Sequence, residues 1–206
     1  MTLPNKEQPN KLNPDLIHFS AFDIELNQNY KRSQIIDLLQ ELKASNKQIL
    51  DLQSFQFNSL LSQRQLLSAV WHAWNGFKNH YSISNLLSIE FLLYVSGQRQ
   101  ISKALEFFGL EQQVEKFSLI VFHENIIKKG DFISFFVQNT MVRDVKDLTL
   151  TDTLEKRNKL SKIFGFKLEY KDDLFLSKES FINLENYILT SISNLVFEAK
   201  LSKKDE

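Results

Sequence analysis

The chain has 206 residues, 43% of them apolar and eighteen of them phenylalanine, which is enough for one packed domain and excludes disorder throughout. Its 25 basic residues balance 25 acidic ones; a globally basic nucleic-acid coat is excluded, a local basic patch is not. It holds no cysteine, so disulfide frameworks, thiolate nucleophiles and cysteine metal sites fall away.

In chain order, the first feature is a polar segment, 1–14, that contains Pro4, Pro9 and Pro14. It reads as a flexible tail and lacks the apolar core of a signal peptide. No apolar run approaches the roughly 20 residues of a membrane span. The expected setting is cytoplasmic, and with no later proline or repeat, residues 15–206 read as a single domain. Ile17, Phe19 and Ala21 alternate, then Phe22, Ile24 and Leu26 alternate on the opposite phase. This predicts a strand with a bulge or bend at the change of phase. Ile35, Leu38, Leu39 and Leu42 follow helical spacing. A second strand is predicted from Gln48 to Phe57. A helix over Gln63–Lys78 carries Leu66, Val70, Trp71, Trp74 and Phe77, read as one face.

The next helix, about Ser84 to Val95, is apolar nearly all round, the pattern of a central helix, and Gly97 stops it. A short helix from Arg99 to Phe108 has Ile101, Ala104, Leu105 and Phe108 directed inward. Phe117 to Phe122 reads as a buried strand. Phe132, Phe135 and Phe136 predict a short helix. Thr151 or Asp152 is the expected cap of another that ends near Gly165. Ser177 is the expected cap of the last helix, whose inward stripe is Phe181, Leu184, Ile188, Ile192, Leu195 and Ala199. The order of elements predicts an α+β fold: a small, mainly antiparallel sheet packed against several helices.

Signatures of catalysis are scarce. The five glycines lie far apart, so no phosphate-binding glycine loop exists, nor a GxSxG or HExxH motif. His18, His72, His80 and His123 are scattered; His72 and His80 nominate no third metal ligand. Asp172–Asp173 reads as a solvated turn. No catalytic residue, metal or cofactor is assigned. The exception is Ser96-Gly97-Gln98-Arg99-Gln100-Ile101-Ser102-Lys103, where a turn opens a short helix. Free N–H groups, a helix N-terminus and the cations Arg99 and Lys103, four apart and hence expected on one helix face, suit a phosphate. The plainer role for Arg99 is a salt bridge to Glu90 or Glu106.

The stretch ISNLLSIEFLLYVSGQRQISKALEFFG, Ile83 to Gly109, resembles the archaeal branch of the KEOPS kinase-binding subunit, the TPRKB-like family. LLSAVWHAWNGFKNH, Leu66 to His80, resembles the helix that precedes it there. FSLIVF and KLSKIFGF fall where that family has a strand and a C-terminal segment. The chain departs from the family pattern at Gln98, often acidic, and at Ser62 and Gln65, where glycine and histidine are common. The region from Glu124 to Thr153 is longer than usual.

The resemblance implies a non-catalytic KEOPS subunit that binds the kinase-like ATPase subunit and, through it, neighbours the threonylcarbamoyl transferase. It also implies binding of the transfer RNA 3′ end during threonylcarbamoyladenosine modification. Carried onto matching positions, it makes Arg99, Gln100 and Lys103 the candidate RNA contacts, with Phe107 a candidate stacking residue. A partner face needs exposed apolar side chains, and Trp71 and Trp74 are its candidates. A protein–protein adaptor of the same fold without RNA binding is the other reading.

Overall fold

The computed structural model describes residues 17–125, 127–167 and 178–202. The 1–14 tail, the Asp172–Asp173 turn and the Ser177 cap lie outside them. Four strands, β1 (His18–Lys31), β2 (Ile49–Gln56), β3 (Gln113–His123) and β4 (Val142–Asp147), form an antiparallel sheet in the order β2-β3-β1-β4. Helix α1 (Arg32–Ser45) joins β1 to β2, and α5 (Lys129–Gln138) joins β3 to β4. This is the βαββαβ ferredoxin-like arrangement. Three helices are inserted between β2 and β3: α2 (Gln63–Lys78), α3 (Leu87–Ser96) and α4 (Ile101–Phe108). Two more follow β4: α6 (Leu154–Phe164) and α7 (Lys178–Ser202). The α+β expectation holds.

The sheet is buried on both faces. Ile35, Leu38, Leu39 and Leu42 of α1, with Phe132 and Phe136 of α5, pack on Phe22, Ile24, Phe117, Leu119 and Val121. The inserted helices, with α6 and α7, pack on the opposite face against Phe55, Ile120 and Phe122. A strand covered on both sides needs apolar residues at consecutive positions, which explains the run in β3. It also explains the change of phase in β1. Phe19 and Ala21 pack with the helical layer, Phe22 and Ile24 with α1 and α5. No bulge lies there: pairing with β3 runs unbroken from His18 to Glu25, and the register shifts only beyond Glu25.

Strand β4 is absent from the sequence expectation. Its residues, VRDVKD, are mostly charged, the composition that protects an exposed sheet edge. Lys129 pairs with Asp147 at 2.6 Å and Arg143 with Glu25. Helix α3 is the centre of the helical layer; all its residues except Ile89 are buried. Helix α6 is capped by Thr153, one or two residues later than expected; its side chain accepts the N–H of Lys156 at 3.2 Å. Asp152 instead pairs with Arg157.

Candidate functional site

Two surfaces carry the candidate residues. The first begins where α3 stops. Gly97 adopts a left-handed conformation, φ 62°, which costs glycine little. Its N–H donates to Tyr94 O at 3.1 Å and the Gln98 N–H donates to Leu93 O at 3.0 Å, the paired bonds of a Schellman stop. Helix α4 then starts at Ile101, with Gln100 as its extended N-cap and no side-chain capping bond. Arg99 therefore precedes the helix. The expectation that Arg99 and Lys103 share one helix face fails, because the chain is extended at Gln100. Arg99, Gln100 and Lys103 are nevertheless all exposed.

Arg99 Nη1 lies 3.9 Å from Glu198 Oε2 of α7, and both side chains are about half exposed. Glu90 does not approach it: that carboxylate is buried and accepts the backbone N–H groups of Ile83 and Ser84. Ile101 and Leu105, expected inward, are 43% and 44% exposed. Phe107 is half-buried and packs against the helical core. Beside α4 runs a groove of about 460 Å³, lined among others by Arg32, Ile36 and Lys43 of α1, Leu52 of the β2 edge and Leu105. Gln65, one of the departures from the resembled family's pattern, is fully buried. Its side chain accepts the Leu61 N–H at 2.8 Å and donates to Val95 O at 2.9 Å.

The second surface joins α2 and α7. Arg64 is tied to Glu185 at 2.7 Å, fixing the two helices side by side. Leu66 and Val70 face the core, but Trp71 is 52% exposed on the outer side; the single-face assignment of α2 is corrected accordingly. The core instead takes Gln65, Ala69, Ala73 and Gly76, small or polar residues that admit close approach of α3. Trp74 packs partly buried against the core, its indole N–H sealed without a hydrogen-bond partner. Trp71, His72, Tyr81, Val196 and Lys200 line a groove of about 570 Å³. Lys200 sits 4.9 Å above the Tyr81 ring. Burial, with Lys200 adding to it, holds His72 below its ordinary pKa, and its ring packs 5.7 Å from Tyr94.

Phe197, next to Val196, is 65% exposed. Leu67, one turn before Trp71, and Leu201, one turn after Phe197, are exposed as well. Sequence reasoning missed Phe197 and Leu201. Their signal was available: both lie off the inward stripe of α7, so a large apolar side chain there has no core to enter.

His72 lines the groove just described, and His80 adopts a left-handed backbone, φ 59°, just beyond α2. Among the described residues no group of three or more histidine or acidic side chains is placed to hold a metal. No described helix is long and apolar enough to cross a membrane.

The fold and these surfaces define a class: an α+β protein that leaves Trp71 and Phe197 on two adjoining helices, and Arg99 and Lys103 at a helix junction, exposed to solvent. The kinase binding protein CGI-121 family matches residues 29–195. The chain belongs to that family, and a kinase-binding accessory role comes with it. No curated protein matches the chain in sequence.

Proposed function

We propose that this chain is a non-catalytic accessory subunit of the KEOPS complex that docks its kinase-like ATPase subunit and helps recruit transfer RNA by the 3′ end. The observation that carries the docking half is the exposure of Trp71 and Phe197 on adjoining helices. Large aromatic side chains left in water beside a groove are the anchors protein interfaces use. The threonylcarbamoyl transferase is reached through the ATPase subunit.

The RNA half rests on the junction between α3 and α4. Arg99 and Lys103 are exposed, Gln100 leaves the helix start uncapped, and Ile101 and Leu105 give unstacked bases an apolar wall. Single-stranded ends are held by charge together with stacking, for which the exposed Arg99 guanidinium offers a flat face. The Arg99–Glu198 pair is long and solvated, so its strength is at the low end for surface pairs.

Two measurements test the reading. The purified chain is expected to bind the kinase-like subunit at micromolar concentration; no complex at that concentration overturns the docking half. Arg99→Glu is expected to weaken transfer RNA binding in a gel shift with the fold intact. A second reading, an adaptor of the same fold without RNA binding, is favoured by zero net charge and by the contact of Arg99 with Glu198. It predicts that transfer RNA binding is absent at low salt, where phosphate contacts are strongest.

A further inference from the structure

Helix α6 is fixed at both ends, and one of those ends meets the junction between α3 and α4. At its start, Arg157 is buried, paired with Asp152, and donates to Ser180 Oγ of α7 at 2.6 Å. Lys156 Nζ donates to Leu60 O at 2.9 Å in the connection from β2 to α2. At its end, Gly165 turns the chain with φ 71°, and the Phe166 N–H closes on Ser161 O at 2.8 Å. Between those fixed points Phe164 is directed onto Gly97. A Cβ on Gly97 would lie 2.6 Å from Phe164 Cε1 and 3.2 Å from Cδ1. The ring thus lies against the Gly97 backbone, in the space a side chain would take. Glycine is required there twice over, by its left-handed φ and by the ring.

Gly97 is where the chain leaves α3, and Arg99 follows two residues later. The two bonds of the Schellman stop set the direction of that exit. The ring covers the same residue from the side of α6, so the exit cannot swing toward α6 without displacing it. A packed aromatic ring has few alternative positions in a dense interior. We propose that Phe164 is a positioning residue: α6 braces the junction and holds Arg99 and the start of α4 in the orientation that receives RNA. This rests on the RNA reading given above. It also gives α6 a role beyond filling the helical layer.

The test uses the full chain with Phe164→Leu, which keeps an apolar side chain but loses the flat ring, and Phe164→Tyr, which keeps the ring. Arg99→Glu is measured alongside. Two readouts are taken: amide hydrogen exchange at Gln98 and Ala73, and the affinity for transfer RNA. For Phe164→Leu, Gln98 exchange is expected to quicken about tenfold while Ala73 in α2 stays within about twofold, the signature of local opening. Transfer RNA affinity falls about fivefold or more, a loss of an oriented phosphate contact. Phe164→Tyr restores both. The proposal is overturned if Gln98 and Ala73 quicken together, if Leu and Tyr behave alike, or if RNA affinity holds in Phe164→Leu while Arg99→Glu still weakens it. If Arg99→Glu itself leaves affinity unchanged, the RNA reading fails and takes this one with it.

Discussion

The carboxylate of Glu90 accepts the backbone N–H of Ser84 at 2.7 Å, from a position in α3 with no solvent exposure. The same oxygen accepts the Ile83 N–H at 2.9 Å. Those two amides belong to the approach to α3, so one buried side chain fixes the entry to the central helix. Burial outweighs the two hydrogen bonds and raises the Glu90 pKa above its ordinary 4.5.

A carboxyl whose folded pKa is raised binds its proton more readily in the folded state. Its contribution to stability is therefore complete below pH 4.5 and declines as pH rises through the raised value. Glu90→Gln cannot ionise, and its amide oxygen can accept both N–H groups. Denaturant unfolding from pH 4 to 8 is expected to show the wild type losing ground to Glu90→Gln as pH rises. Glu90→Leu leaves the buried Ser84 amide and the half-buried Ile83 amide unpaired and should cost about 2–4 kcal/mol.

Lys156 gives a dependence on the alkaline side. It is buried, and burial depresses its pKa to about 8, against smaller opposing effects from Asp152 and Asp23. The unfolded chain then holds more protons than the folded one between about 8 and the ordinary 10.5. Stability rises with pH through that window, by up to roughly 3 kcal/mol on linkage arithmetic. Lys156→Met removes the titration along with the bond to Leu60. The difference in unfolding free energy between wild type and Lys156→Met is expected to move toward wild type from pH 7 to 9.5. A difference flat in pH would contradict the depressed pKa.

Much of this fold was legible in the residues, and the failures share a cause. Helices α1 and α7 bury one stripe each, and the 3.6-residue period found both stripes. Helix α2 packs through Ala69, Ala73 and Gly76, so its core face looks bland in sequence while its tryptophans draw the eye. Strand β4 has a single buried neighbour strand and a charged outer edge, and its pattern carries few apolar residues. Arg99 and Lys103 were legible as a cationic pair. Their relation to one helix was not, because α4 starts at Ile101 and its N-cap Gln100 takes the extended backbone usual at that position. Glu198 approaches Arg99 from a helix far along the chain, and local spacing is blind to such contacts.

Salt dependence separates the cations of the junction. Phosphate contacts release counterions, so each one lost reduces the slope of log affinity against log salt by about one. Arg99→Ala and Lys103→Ala are each expected to show that reduction in transfer RNA titrations from 50 to 200 mM salt. Gln100→Ala, an uncharged change, leaves the slope as it was. Slopes unchanged in both cation variants would remove these residues from the RNA surface.

The two tryptophans of α2 should divide stability from binding. Trp71 is 52% exposed and makes little of the core, so Trp71→Ala should leave the melting temperature within about 2 °C of wild type. An exposed aromatic that becomes an interface anchor is worth about 2 kcal/mol or more on truncation, so affinity for the kinase-like subunit should fall thirtyfold or thereabouts. Trp74 lies against the core with its N–H sealed off. Trp74→Ala leaves a cavity and should cost about 3 kcal/mol of stability. Its loss of partner affinity, measured on folded protein, should be the smaller of the two. Phe197→Ala is expected to follow Trp71, since Phe197 is 65% exposed on α7, next to Val196 of the groove wall. Calorimetric titration of the folded variants decides between them. If Trp71→Ala binds as tightly as wild type, the α2 and α7 face is not where the kinase docks.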